Sequence, residues 1–227
     1  MSWIICIFFI VMIYVLSKFI RSQGRDAYIK KFKFPQGLHR RLSKHHPNLT
    51  EAEFQLVSDS LKQFFLIHLR SGQKLVSMPS QVTDDLWHEF ILYTQAYQTF
   101  CKKAFGHFLH HTPAAALNEK QKKSNVGLRR SWLHACQIEN INTRTPQNLP
   151  LIFAIDALLN IPNGFHYVTD CKKAGLVTPN SNNAAIYCGG DFVSGSSCGG
   201  SSGCAGDGVD NSCNGGCSGG CGGGGGD

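Results

Sequence analysis

The sequence predicts an all-α protein in three parts: an N-terminal transmembrane helix, a small four-helix-type domain and a disordered Gly/Cys-rich tail. Three observations carry this. Residues 3–16 are apolar without interruption, the middle of the chain repeats its apolar side chains at helical spacing, and residues 188–227 are mostly Gly, Ser and Cys. The resulting divisions are an anchor at 1–20, a basic juxtamembrane segment at 21–47, a helical domain at 48–187 and the tail at 188–227.

The anchor comes first. The apolar run from Trp3 to Leu16 continues past Ser17 and Lys18 to Phe19 and Ile20, about 27 Å of helix at 1.5 Å per residue. A hydrocarbon core is about 30 Å thick, and Lys18 is long enough to snorkel to its edge. A cleaved signal peptide is the competing reading, since its apolar region runs about 7–15 residues. Against it, no Lys or Arg precedes the run, and Lys18 and Arg21 stand where small cleavage-site residues belong. An amphipathic core helix would show a polar face, which this run lacks.

The net charge of +7 is concentrated just after the anchor. Between residues 18 and 50 lie Lys18, Arg21, Arg25, Lys30, Lys31, Lys33, Arg40, Arg41 and Lys44 against Asp26 alone, an excess of eight that leaves the rest of the chain at −1. A basic stripe beside an apolar span is a topology and headgroup signal. The expectation is a single-pass membrane protein with its domain in the cytoplasm and membrane lipid as a partner. Nucleic acid ranks well behind. His45 and His46, beside Lys44, would add to anionic-lipid contact at low pH.

The domain follows. Thr50 and Glu53 form a capping box ahead of Phe54, Leu56, Val57, Leu61, Phe64, Phe65 and Leu69, with Gly72 as the stop. Ser80 caps a second helix predicted to run to about Phe105, its stripe marked by Val82, Leu86, Phe90, Tyr93, Tyr97, Phe100 and Ala104, with Gly106 ending it. A third helix is predicted over about Asn125 to Glu139, and a fourth from Pro150 to about Asn160. Ordering the tail's roughly 40 residues would cost on the order of 40–80 kcal/mol of backbone entropy, and Phe192, Val193, Ala205 and Val209 are too few to offset it. Six tail cysteines (Cys188, Cys198, Cys204, Cys213, Cys217, Cys221) stand open as disulfides, as thiols or as soft-metal ligands.

Candidate chemistry is concentrated between Thr83 and Pro113. Asp84 and His88 are i and i+4, so on a helix both project from one face and can share an ion. The turn at Gly106 can return His110 and His111 toward that helix, and Cys101 adds a thiol. Carboxylate, imidazole and thiol suit zinc or another borderline divalent metal. The metal-site candidates are therefore Asp84, His88, His110, His111 and Cys101. Each also has a structural role open to it: a carboxylate in the first helical turn favours the dipole by about 0.3–1 kcal/mol, and a buried Cys is a small hydrophobe.

Asp84, Trp87, His88, Tyr97, Cys101, Gly106, His110, His111 and Pro113 resemble the signature of the glycine-rich domain-containing proteins, approximately V-D-x-x-W-H-x-H, a Tyr, a Cys and G-x-x-[LI]-H-H-x-P. The likeness covers about 35 residues closely; Leu149 to Asp156 and the tail resemble the membrane-anchored bacterial members more loosely. Thr83 stands where that pattern has Val, and Phe90 where it often has a second His, so the resemblance implies a site short by one ligand. It implies no established activity.

Outside the low-complexity tail there is no G-x-S-x-G elbow, no phosphate loop and no G-x-G-x-x-G following a predicted strand. The sequence therefore points first to a membrane-tethered binding or scaffold module with a divalent-metal site and a protein partner of unknown identity. A metal-dependent hydrolase using Asp85 or Glu89 as base is the second class. A carrier whose Gly/Cys-rich tail is the modified or thiol-functional part is the third.

Overall fold

A computed structural model of the chain describes residues 2–111, 126–169 and 186–188. The expected tail therefore lies, apart from the backbone of Cys188, outside the described residues. Seven helices occur among those described: α1 Ser2–Lys31, α2 Leu38–Leu42, α3 Glu51–Arg70, α4 Gln81–Ile91, α5 Thr94–Ala104, α6 Val126–Glu139 and α7 Leu151–Leu158. His166–Val168 (β1) pairs in parallel with Ile186–Cys188 (β2), a short ladder that the all-α expectation did not contain. The protein is mainly helical all the same.

Helix α1 begins with the apolar run, whose described side chains stand exposed, and it is long and apolar enough to cross a membrane. It does not stop where the apolar run stops. Tyr28 packs on Phe32 and Phe100, and Ile29 is fully buried, as are Leu38 and Leu42 of α2. The boundary expected at residue 48 thus divides residues that share one core. The density of Lys and Arg in the segment hid this, because the buried Ile29, Leu38 and Leu42 are scattered among them. Asp26 ties the junction: Arg70 at the end of α3 reaches one of its oxygens through Nε at 2.9 Å and a terminal nitrogen at 2.6 Å, and Lys30 reaches the other at 2.7 Å. Burial alone would raise the Asp26 carboxyl, but the hydrogen bonds from Lys30 and Arg70 outweigh it and hold it below the usual range.

Helix α3 starts as its local sequence dictates. Thr50 accepts from Glu53 N, and the Glu53 carboxylate accepts from Thr50 N at 2.8 Å, the reciprocal capping box. Its length supplies the central apolar wall, with Val57, Leu61, Phe64, Phe65 and Ile67 buried.

The second predicted helix is two. The chain bends at Leu92 and Tyr93, so α4 ends at Ile91 and α5 starts at Thr94. No Gly or Pro announces this; packing produces it. On a straight helix Phe90 and Tyr97 would lie about 10.5 Å apart along the axis, whereas across the bend their rings meet edge-on at 5.2 Å. Phe100 is thereby delivered onto Phe65 at 4.8 Å and Phe32 at 4.6 Å. The gain is a continuous aromatic core joining α1, α3, α4 and α5.

His68, in the last turn of α3, packs edge-on against Phe105 at 5.1 Å, and its Nε2 has no hydrogen-bond partner among the described residues. Burial, reinforced by the nearby His107, pushes it down to about 4. The unfolded chain therefore binds the proton more readily, so stability is full above about pH 6.5 and is lost as pH falls toward 4. Compared between pH 7 and 4.5 by chemical denaturation, His68→Leu should show a pH-dependent loss smaller than wild type by about 2 kcal/mol; equal losses would refute the buried neutral imidazole.

Candidate metal centre

The start of α4 is set by a residue far away in sequence. Ser80, the N-cap, accepts from Thr83 N at 3.2 Å. The two preceding amides, Gln81 N and Val82 N, donate to the carboxylate of Asp156 on α7 at 2.7 and 3.2 Å, and the Ser80 hydroxyl donates to it at 2.8 Å. Phe165 N donates to the same group at 2.9 Å. Asp156 is 1% exposed, so every otherwise orphaned donor of the first turn of α4 is satisfied inside the protein. Gly164 makes the close approach possible: a Cβ there would lie 2.8 Å from Asp156 Cβ. Nothing local in the sequence marks Asp156 as a cap, because the α4 donors it accepts from lie 74–76 residues away.

One turn further on, Asp84 and His88 project from the same face of α4. His111 reaches them through a relay that positions the segment after α5: Trp87 Nε1 donates to the Tyr97 hydroxyl at 3.1 Å, and that hydroxyl donates to the Leu109 carbonyl at 2.6 Å. Burial raises the Tyr97 hydroxyl far above its ordinary value, so it stays protonated and able to donate. His111 then lies edge-on against Trp87 at 4.6 Å and over His88 at 4.3 Å.

Asp84, His88 and His111 form the cluster, with one ligand atom from each lying within 4.8 Å of the others. His111 Nε2 is 3.1 Å from Asp84 Oδ1, and His88 Nδ1 is 3.6 Å from Asp84 Oδ2. The second separation is too long for a hydrogen bond. Two donors on a tetrahedral zinc, each at about 2.0–2.1 Å, stand about 3.3 Å apart, a value between the two. The donor set, two imidazoles and a carboxylate, fits zinc or a similar ion. Asp84 and His111 are partly buried while His88 is 49% exposed, so the cluster opens to solvent on the His88 side.

The other two candidates are elsewhere. His110 is exposed and packs on Phe108 at 4.8 Å. Cys101 is fully buried in the core; burial raises its thiol, which lies against the Leu109 backbone and the Tyr97 hydroxyl. Phe90 is likewise enclosed in the aromatic core. The two carboxylates considered as bases are engaged: Asp85 pairs with His46 at 2.8 Å and accepts from Gln81 at 2.9 Å, and Glu89 is held by Arg41 and by His45 at 3.2 Å. Burial would raise Glu89, but these hydrogen bonds leave it below its ordinary value. His46, expected on a basic surface, is instead largely enclosed against Asp85, while His45 stays exposed and also reaches α4 through Glu89.

No curated protein and no solved structure matches the chain. A family model does match, over residues 24–192, from the last turns of α1 through the helical domain to a few residues past β2. On that coverage, the chain belongs to the UCP032817-like family.

Proposed function

We propose that the chain is a membrane-tethered binding module in which Asp84, His88 and His111 hold a divalent metal, zinc being the best fit to the donors. The observation that carries the reading is the convergence of three ligand atoms within 4.8 Å on a helix face and a separately anchored segment. A single-pass anchor, with the domain cytoplasmic, is supported by the apolar helix and by the basic residues that follow it. A structural or regulatory metal is favoured over a hydrolytic one because Asp85 and Glu89, the adjacent candidates for a general base, are held by His46, Arg41 and His45.

The full chain, expressed and extracted with detergent, supplies the test. It should fractionate with membranes and resist extraction at alkaline pH. Its metal content should exceed that of His88→Ala by about one equivalent, the tail cysteines being common to both. Equal metal content in the two proteins would refute the site, and release at alkaline pH would refute the anchor.

A further inference from the structure

α1 is unbroken from Ser2 to Lys31, and its last turns are packed into the domain. No flexible linker separates the apolar run from the core, so a membrane that holds one end of α1 also fixes how the domain faces it. Arg25 lies five residues past Ile20, about 7.5 Å along the helix, which is about the depth of one headgroup layer.

Two turns from other helices meet α1 at this level. The Arg25 guanidinium covers Gly106, approaching within 2.8 Å of where a Cβ would be. Gly106 ends α5 with φ +87, a conformation that glycine adopts without strain. Gln73, past the end of α3, donates to the Phe105 carbonyl at 3.1 Å and bonds to His107. Arg70 reaches Asp26 one residue after Arg25, and the Lys103 ammonium lies 5.8 Å from the Tyr28 ring. Lys74 follows Gln73 and is exposed, as are Lys103 and His107, and Leu75 beside it presents an exposed apolar side chain. The carboxylate at this end, Asp26, is already bridged by Lys30 and Arg70.

Helix-dipole compensation accounts for Arg70 and Lys103 taken one at a time. It does not require that α1, the α3 turn and the α5 turn bring their cations to one level beside the apolar run. We propose that this end of the domain, presenting Arg25, Lys74 and Lys103 around the Asp26–Arg70 pair, docks on the anionic lipid headgroups of the membrane that α1 crosses. The sequence-level stripe thus divides. Lys31 is about 16 Å past Ile20, and α2, which carries Arg40 and Arg41 and leads to Lys44, packs on α4 with Arg41 turned to Glu89, whereas Lys74 and Lys103, distant in sequence, follow from the α3 and α5 ends that meet α1.

The proposal rests on α1 spanning the membrane, and the experiment separates the two. The full chain is placed in nanodiscs of phosphatidylcholine alone or with 30% phosphatidylserine, and amide hydrogen exchange is followed by mass spectrometry. Amides of residues 72–75 and 105–108 should exchange at least about threefold more slowly in the anionic discs, and 0.5 M salt should abolish the difference. Lys74→Glu combined with Lys103→Glu should remove it; Arg40→Glu with Lys44→Glu, the same charge change off the face, should not. If either pair misfolds, the lipid and salt dependence of wild type decides. Chain inserted in the discs with composition-independent exchange would overturn the docking face and leave the anchor intact, as would equal effects of the two pairs. Chain that does not enter the discs would overturn both.

Discussion

Asp156→Ala is expected to be the most damaging single substitution outside the aromatic core, costing at least about 3 kcal/mol. It strips the acceptor from Gln81 N, Val82 N and Phe165 N at once and leaves the Ser80 hydroxyl with Thr83 Oγ1 alone, around a carboxylate that is 1% exposed. Each buried donor left unpaired costs about 1–3 kcal/mol. At 2–4 °C per kcal/mol for a domain of this size, the thermal midpoint of the full chain should fall by about 6–12 °C or more. Asp156→Asn should recover part of the loss, since one carbonyl oxygen remains, but its amide N–H groups face other donors. Gly164→Ala, which changes no hydrogen-bonding group, should destabilise by crowding Asp156. A midpoint within 2 °C of wild type for Asp156→Ala would show that α4 does not depend on this cap.

The second large effect concerns the metal. Zinc that binds the folded chain alone, at a hundred times its dissociation constant, stabilises by about 2.7 kcal/mol, or about 5–10 °C. Wild type should therefore melt higher with zinc and lose the increment on chelation, whereas His88→Ala should melt at one temperature in either condition. His88 suits this comparison because its ring is half exposed and lies too far from Asp84 for a hydrogen bond, so its removal costs the fold little. Cys101→Ser separates the cluster from the thiol: it should shift the midpoint in both conditions alike, because the thiol is enclosed in the core. Chelator-independent melting of wild type would remove the metal reading and leave His111 as a hydrogen-bond partner of Asp84.

What the sequence determined by itself was local. The capping box of Thr50 and Glu53, the Ser80 cap and the start of α7 behind Pro150 follow from signals lying within a few residues of the structure they set, and the helical apolar spacing identified the part of the core that α3, α4 and α5 supply. The pairing of Asp84 with His88 was readable for the same reason, being one turn of helix. Tertiary structure decided whatever depended on a distant partner. The bend at Leu92 and Tyr93 has no breaker residue and exists because it lets Phe90, Tyr97 and Phe100 enter one aromatic cluster. Ile29, Leu38 and Leu42 joined the core from a segment that charge alone had assigned to the membrane surface. His111 rather than His110 meets α4, in a segment that the Tyr97 hydroxyl fixes through the Leu109 carbonyl, while the His110 ring packs on Phe108. Asp156 caps a helix some 75 residues before it. Backbone periodicity and caps are written in neighbouring residues, whereas the partner of a buried carboxylate, the direction of a loop histidine and the cations gathered at one end of a domain arise only when the chain has closed on itself.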